Sequence, residues 1–558
     1  MRILIVGGYG TFGGRLVELI EDDRRLTLLV SGRSLERARQ YCAGRSKALA
    51  ALIPTLFDRN GTSHELQALR PDLVVDASGP FQAYGQKMYN LIERCLECRT
   101  NYVDLADGSE FVAGVPGFDA AAKAAGVFIL TGASSFPVLT AAVVRRLSTD
   151  MTEVRSIRGG IAPSAFAGVG SNVIRAIASY AGQRVAIRRN GSSAEGRPFT
   201  ESIPYVICVP GRVPLEWRRF SLVDVPDLRM LPTLWPTVKE VWMGAAPVPG
   251  MLHRLLNAFA WLVRSRVLPT LSWMAGAMHF VTEHAQWGEH RGGMFVEVVG
   301  TRSDGGEVER VWNLLAEGND GPLIPCMAVE ALIRKLVAGT KPATGARSAI
   351  SDVGLEDYEA LFQRRTVYTG TREMQGGSAM PLFRRVLGES WQHLAAPIQE
   401  LHTVTSPRCF TGRCTVRRGR SLLGQIIARI TGFPKAGTDM PITVRLEPNG
   451  DGERWSRTCS GRTFSSVQRA GRGRSQWLLR ERFGLVCVDT ALRLEGTHLR
   501  YSVRRWALLG IPLPLRWGPR SNALESVQDG LFKFDVEVSL PVAGLIVHYT
   551  GTLSPTVS

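Results

Sequence analysis

Apolar residues in the first 131 positions come in short unbroken runs rather than in alternation. Ile3 to Val6, Leu26 to Ser31, Asp72 to Ala77, Asn101 to Leu105 and Val127 to Thr131 each read as a strand covered on both faces, and Pro54 to Phe57 as a shorter one. The stretches between them, Arg15 to Ile20, Leu35 to Leu52, Ser63 to Leu69, Lys87 to Cys98 and Phe118 to Ala125, carry helical spacing. Strands alternating with helices at this rhythm predict a doubly wound parallel sheet.

The middle of the chain is patterned differently. Between Leu231 and Phe280 lie Trp235, Trp242, Trp261 and Trp273, and residues Leu252 to Phe280 are largely apolar. Arg264, Arg266 and Pro269 break that stretch, so no run reaches the roughly 18 apolar residues of a spanning helix. Two shorter helices are expected, packed internally, lining a greasy pocket, or lying on a membrane surface with arginines among the headgroups. Phe295 to Val299 and Val311 to Ala316 read as a hairpin with Ser303 to Gly306 in its turn.

Past a Gly376-Gly-Ser-Ala379 linker and a helix over Phe383 to Leu394, the chain breaks into many short strands separated by glycine turns. These are Thr411–Arg417, Met440–Leu446, Glu453–Cys459, Arg462–Gln468, Ser475–Phe483, Val486–Leu494, His498–Ala507, Leu531–Leu540 and Leu545–Leu553. Val536, Val538 and Leu540 alternate with polar neighbours, as one buried face requires. The fold class expected is α/β: a Rossmann-type doubly wound parallel sheet over 1–131, a second α/β substrate or dimerisation domain over 132–370, and an antiparallel β-rich domain, a curved sheet or barrel, over 380–558.

The chemistry concentrates in the first strand–turn–helix. Gly7, Gly8, Gly10, Thr11, Phe12 and Gly13 form a turn in G-x-G-x-x-G spacing between a buried strand and a helix. Glycine suits a tight turn whose backbone approaches a pyrophosphate, and helix N–H groups then hold the anion. The second strand ends in Ser31-Gly-Arg-Ser34, with no carboxylate for the ribose hydroxyls. A carboxylate would repel a 2′-phosphate, whereas Arg33, with Ser34 beside it, is suited to pair with one, so NADP is expected over NAD. Asp58, at the third strand end, is expected either near the adenine or as a solvated loop acid, and Ser78, Gly79 and Pro80, after the fourth, are expected near the nicotinamide.

Elsewhere the signals are weaker. His279, His284 and His290, with Glu283 and Glu289, are the densest ionisable group of the middle domain, without a zinc-ligand spacing. One of these histidines is a possible proton donor, and structural or surface roles weigh against it. Cys95-x-x-Cys98 falls in an expected helix with no second pair nearby, and Cys409 and Cys414 are no better placed for a metal or redox role, so no metal is expected.

Composition adds two points. Nine cysteines, odd in number and scattered, suit a reducing compartment, and the glycine-interrupted opening run is unlike a signal peptide, so a cytoplasmic location is expected. Of the +17 net charge, most falls after Gly376, where 25 Lys+Arg face 13 Asp+Glu. No nucleic-acid motif accompanies that charge, so nucleic acid is not an expected partner; high arginine usage in itself is the leading reading, and an anionic membrane surface stays open.

Taken together in order, Gly7 to Gly13, Ser31 to Ser34, Asp76-Ala-Ser-Gly-Pro-Phe81 with Tyr84-Gly85, Tyr102-Val-Asp-Leu105, Gly132 to Thr140 and Trp312 to Arg347 resemble the saccharopine dehydrogenase-like family over roughly residues 1–365. The resemblance implies a cofactor domain followed by an α/β domain that closes over the nicotinamide and often mediates dimerisation; NADP is common in that family. No paired arginines or Lys–His couple suited to an amino-acid substrate stands out. Glu453-Arg-Trp455, Ser460 to Ser465, Arg480 to Gly484, Leu509 to Pro514 and Leu540 to Gly551 resemble a bacterial domain of unknown function found fused to such proteins. The function expected is an NADP-dependent oxidoreductase acting on a hydrophobic or lipid-like carbonyl or enoyl compound. The alternative is a non-catalytic NADP-binding scaffold or lipid-binding protein at a membrane surface.

Overall fold

The computed structural model describes residues 1–168, 170–247, 249–284, 286–374 and 380–556. The chain forms two compact units: Met1–Tyr205 with Arg218–Thr369, and Val206–Trp217 with Gly370–Ser558. The expected Gly376–Ala379 linker lies outside the described residues.

In the first unit, β1 (Arg2–Val6), β2 (Thr27–Gly32), β3 (Ala51–Leu56), β4 (Leu73–Asp76), β5 (Asn101–Asp104) and β6 (Phe128–Thr131) form a parallel sheet in the order β6-β5-β4-β1-β2-β3. Ile3, Leu4 and Ile5 are fully buried, as the unbroken run demanded. The helix expected over Leu35 to Leu52 stops at Ala43, where Gly44 closes it, and the third strand starts three residues before Pro54. Leu49 and Ala50 instead donate backbone bonds to Glu21 O, which turns the chain into β3.

A second, mixed sheet follows. Its strands are β7 (Met151–Ala162), β8 (Val185–Arg189), β9 (Ser192–Gly196), β10 (Ser202–Tyr205), β11 (Arg218–Leu222), β12 (Glu240–Ala245), β13 (Gly292–Arg302) and β14 (Glu307–Ala316). The main path runs β10-β11-β12-β7-β13-β14, with β7 and β12 parallel and the β13–β14 hairpin as expected. Gly160 in β7 has no room for a Cβ because Phe295 and Phe220 fill the space beside it. Tyr205 stacks on Phe295 at 3.7 Å, so these aromatics form the packed face of the sheet. Strand β15 (Gly345–Ser348) then returns to the parallel sheet and pairs with β6, completing seven strands; β16 (Val367–Met374) flanks β14.

The second unit is a closed antiparallel barrel. Its walls are β17 (Arg408–Arg418), β18 (Gly437–Asn449), β19 (Gly452–Cys459), β20 (Arg462–Ala470), β21 (Leu479–Phe483), β22 (Val486–Glu495), β23 (His498–Leu508), β25 (Arg520–Gln528), β26 (Leu531–Leu540) and β27 (Gly544–Pro555), and the short β24 (Ile511–Leu513) folds back on β23. Each wall strand pairs with the next, and β27 closes on β17, an up-and-down barrel without free edges. The helix before it is shorter than expected, Leu382–Leu387, and Gly388 at φ 61 turns it into a 3-10 segment.

The interior is apolar with charged insertions. His402 Nε2 lies 2.6 Å from Glu525 Oε2, Tyr501 OH donates to Glu525 Oε1 at 2.8 Å, and Phe383 stacks on His402 at 3.7 Å. Glu481 accepts from Ser466 Oγ at 2.6 Å and from Gln468 Nε2 at 3.0 Å. Strand β25 was not expected from the sequence, because Glu525 occupies an inward position and breaks the apolar alternation that identifies its neighbours.

In the parallel sheet, Asp104 at the end of β5 is fully buried. Its Oδ1 accepts from Gly132 N at 2.7 Å, Ala106 N at 3.0 Å and Thr131 Oγ1 at 3.0 Å, tying the end of β5 to that of β6. Burial pushes its carboxyl up to about 7 against those three bonds, which pull the other way. Between about pH 4 and pH 7 the native state therefore holds a proton that the unfolded chain has lost, so stability falls as pH rises through that window. Urea unfolding across that range should show this fall, at up to about 1.4 kcal/mol per pH unit from this group. In Asp104→Asn the profile should be flatter over the same range; an unchanged slope would refute the assignment.

Candidate functional site

The carboxyl ends of β1, β2 and β4 open into a cleft of about 1420 Å³ within the first unit. One half of it is built by the glycine turn. Gly7 adopts φ 79, and a Cβ there would come within 2.9 Å of Ala77 O and Ser78 Cα. Gly10 N donates to Gly7 O at 2.8 Å, and the helix Thr11–Ile20 starts directly afterwards with no capping side chain and no acid in its first turn. That end is therefore left to an anion from outside. Gly7, Gly10, Thr11 and Phe12 line the cleft; Gly8 and Gly13 do not. Gly13 packs so closely that a Cβ would overlap Gly7 O, and a Cβ on Gly8 would sit 2.9 Å from Ile5 O, so both serve the turn's closeness rather than its surface.

At the end of β2, Arg33 and Ser34 line the cleft, with Arg33 exposed. Ser34 Oγ accepts from Arg37 N at 3.3 Å as a helix cap, and Ser34 N donates to Tyr9 OH at 3.0 Å. Tyr9 fills the space a side chain at residue 32 would need, and its ring carries the Arg37 guanidinium at 5.2 Å. Arg37, which the sequence reading did not single out, is thus a second exposed cation on the cleft wall at this strand end. Asp58 also lines the cleft, but its Oδ1 accepts from Asn60 N at 2.9 Å, so the carboxylate is engaged in its own turn.

Ser78, Gly79 and Pro80 form the far wall of this half. Ser78 N and Oγ donate to Asp76 Oδ1 at 3.0 and 2.5 Å, and Ser78 Oγ lies 2.8 Å from Tyr84 OH. Arg59 sits 3.5 Å over the Tyr84 ring with Nε 3.6 Å from Asp76 Oδ2. Asn172 Nδ2 donates to Gly79 O at 2.7 Å, and Arg15 Nη2 to Ala167 O at 2.6 Å, so the loop after β7 and the helix Ser171–Tyr180 are fastened over the turn.

The remaining half is walled by Ile161, Ile174, Ile177, Val225, Met294 and Leu314. Set into that apolar wall are Asp107, Asp224 and Tyr180. Burial raises the Asp107 carboxyl, a bond from Gln82 Nε2 at 3.1 Å lowers it, and the charge of Asp224 raises it further. Asp224, raised first by burial, accepts from Ser109 Oγ at 2.6 Å. Tyr180 is held well above its ordinary value by burial and by the charges of Asp224 and Asp107. These three come from positions far apart in the chain, and no local motif marks them; their only sequence signal is that Asp107 follows a buried strand end.

His290 lines the cleft mouth, stacked on Phe166 at 3.6 Å. His279 and His284 do not line it: His279 faces Glu283 at 3.6 Å, and His284 Nδ1 lies 2.8 Å from Phe280 O. Among the described residues no cluster of His, Cys, Asp or Glu is arranged to hold a metal ion. Cys95 is buried in the core of the parallel sheet's helices, its thiol pushed up by burial. The two expected helices of the middle segment are Gly250–Arg264 and Ala275–His284, and they are largely exposed: Met251, Leu255, Trp261 and Phe280 face outward.

A glycine cradle closed to any Cβ and an uncapped helix start fit a dinucleotide, and two guanidiniums stand exposed at the β2 end. Residues 3–130 match the model of the saccharopine dehydrogenase NADP binding domain, and residues 394–553 match that of a domain of unknown function, DUF4166. The chain thus opens with a saccharopine dehydrogenase-like domain for a nicotinamide cofactor. Similar solved structures include apo histidine-tagged saccharopine dehydrogenase (L-Glu forming) from Saccharomyces cerevisiae, at 12% identity and TM-score 0.49, covering 67% of this chain and 100% of that one. They also include the WlbA (WbpB) dehydrogenase from Thermus thermophilus in complex with NAD and alpha-ketoglutarate, at 13% identity and TM-score 0.28, covering 62% and 90%. A meso-dapdh mutant from Clostridium tetani matches at 15% identity and TM-score 0.31, covering 65% and 98%. No curated protein matches the chain.

The turn's dependence on Gly13 is testable. Gly13→Ala should cost about 3 kcal/mol by forcing the turn off the helix. It should abolish nicotinamide fluorescence enhancement on titration with NADPH. Wild-type affinity in a folded Gly13→Ala protein would contradict the close approach.

Proposed function

We propose that the protein is an NADP-dependent oxidoreductase that reduces a hydrophobic carbonyl or enoyl compound. The observation that carries this reading is the pairing, in one cleft, of a dinucleotide cradle with an apolar chamber holding two carboxyl groups raised by burial. The turn of Gly7, Gly10, Thr11 and Phe12 would hold the pyrophosphate, Arg33 and Arg37 the 2′-phosphate, and Ser78, Gly79 and Pro80 would border the nicotinamide. When bound, NADPH supplies a hydride.

The chain's own contribution is position and a proton. Ile161, Ile177, Met294 and Leu314 would exclude water and orient an apolar substrate. Reduction of a carbonyl also leaves a negative oxygen that must be protonated. Asp107, whose carboxyl is raised by burial and by the charge of Asp224, is the group best suited to deliver that proton. Two carboxyl groups and, among the described residues, no paired arginines in the chamber favour an uncharged, apolar substrate over an amino acid.

Two measurements test the reading. NADPH should bind more tightly than NADH in a fluorescence titration, and Arg33→Ala with Arg37→Ala should weaken NADPH roughly 10–100-fold while leaving NADH unchanged. Equal affinities would sink the NADP assignment. With long-chain aldehydes and enoyl thioesters as substrates, Asp107→Asn should lower kcat roughly 100-fold with NADPH affinity intact. In the wild type kcat should fall as pH rises through the carboxyl's raised value. Tight NADPH binding with no turnover of any such compound would favour the non-catalytic scaffold.

A further inference from the structure

The two ends of the barrel differ in a way its walls do not. Strands of an up-and-down barrel alternate in direction, so the connections 419–436, 460–461, 484–485, 509–519 and 541–543 all emerge at one end. The connections 450–451, 471–478, 496–497 and 529–530 emerge at the other.

Almost every exposed large apolar side chain of the barrel belongs to the first end. The helix Leu422–Ile430 in the 419–436 connection is laid with its small side inward: Gly424 and Ala428 are buried, and a Cβ on Gly424 would sit 3.1 Å from Leu545 O. Its outward stripe is Leu422 (79% exposed), Ile426 (55%) and Ile430 (79%), at helical i, i+4, i+8 spacing. The neighbouring connections add Leu485, Val542 (81%), and the excursion bearing Leu509, Ile511 and Trp517. That excursion is held in shape by Trp506 Nε1 donating to Pro514 O at 3.0 Å. The opposite end exposes none in its four connections, Leu531 at the start of β26 being the nearest among the described residues.

The five connections at this end carry charge of one sign, Arg420, Arg429, Lys435 and Arg516 with no Asp or Glu, and the exposed Asp439 just inside β18 is paired with Arg413. The connections of the other end mix signs, with Asp451 and Asp529 beside Arg472 and Arg474. Arg516 lies 5.0 Å over the Trp517 ring, the pairing of an aromatic and a cation suited to a headgroup layer. A protein partner would require acidic side chains set against particular cations; scattered loop tips with apolar points and a fringe of cations match a fluid anionic surface instead.

We infer that this end of the barrel is a docking surface for anionic phospholipid membranes, with the helix Leu422–Ile430 inserting its outward stripe into the interfacial layer. The inference stands independently of the oxidoreductase reading. The test uses the full chain and sedimentation with vesicles of phosphatidylcholine, with and without phosphatidylglycerol. Binding is expected only to the vesicles with phosphatidylglycerol, weakening in high salt. The variant Leu422→Ser/Ile426→Ser/Ile430→Ser should weaken it roughly tenfold or more, as should Arg420→Glu/Arg429→Glu/Arg516→Glu, with thermal unfolding and NADPH affinity unchanged. All six positions are on loops or an outward helix face, so either variant suffices if the other fails to fold. Absence of vesicle binding, or binding that both variants retain, overturns the inference. So does a serine variant that only converts a dimer to a monomer in size-exclusion chromatography, which would assign the surface to a second copy of the chain.

Discussion

The constraint on which the cofactor site depends is the absence of volume between Gly13 and the Gly7 carbonyl. That approach brings the helix start down onto the end of β1 and leaves its N–H groups facing the cleft. It also sets the distance to Ala77 and Ser78, whose own wall is stiffened by Asp76, Tyr84 and Arg59. A looser turn would widen the cleft at the helix start and detach the two walls from each other. Arg15 and Asn172 then tie these walls to the loop after β7 and to the helix Ser171–Tyr180.

Much of this architecture is legible in the sequence because it is local. The strands β1, β2, β4, β5 and β6 are read from unbroken apolar runs, and the glycine turn from spacing next to a buried strand. The barrel walls are mostly read from alternation between glycine turns. What escapes has a physical reason in each case. Strand β25 carries Glu525 inward, so its pattern is not that of a half-buried strand. The helix Leu422–Ile430 turns its apolar residues outward, the reverse of what a packed helix shows. Asp107, Tyr180 and Asp224 meet only through tertiary structure, and a carboxylate's burial has no one-dimensional signature. Arg37 carries no local mark in the sequence, and its place over the Tyr9 ring on the cleft wall is set by tertiary structure.

The two units use buried charge differently. In the cleft, burial raises the carboxyl groups of Asp107 and Asp224, which line the open space itself. In the barrel, Glu525 and Glu481 are matched by His402, Tyr501, Ser466 and Gln468, the arrangement of groups whose task is to specify how strands and preceding helices fit. Burial of a titratable group alone therefore does not mark a site here; unfilled surroundings do.

The seventh strand of the parallel sheet carries a consequence for how the protein is made. Because β15 reaches β6 only from Gly345–Ser348, the cofactor sheet keeps an open edge at β6 while the whole of the second sheet is being synthesised. A nascent chain must protect that edge, or delay its final pairing, until the polypeptide has left the ribosome well past residue 348. The nucleotide-binding fold is thus early in sequence but late in completion, and a gene fragment ending near Thr131 encodes a sheet missing a wall.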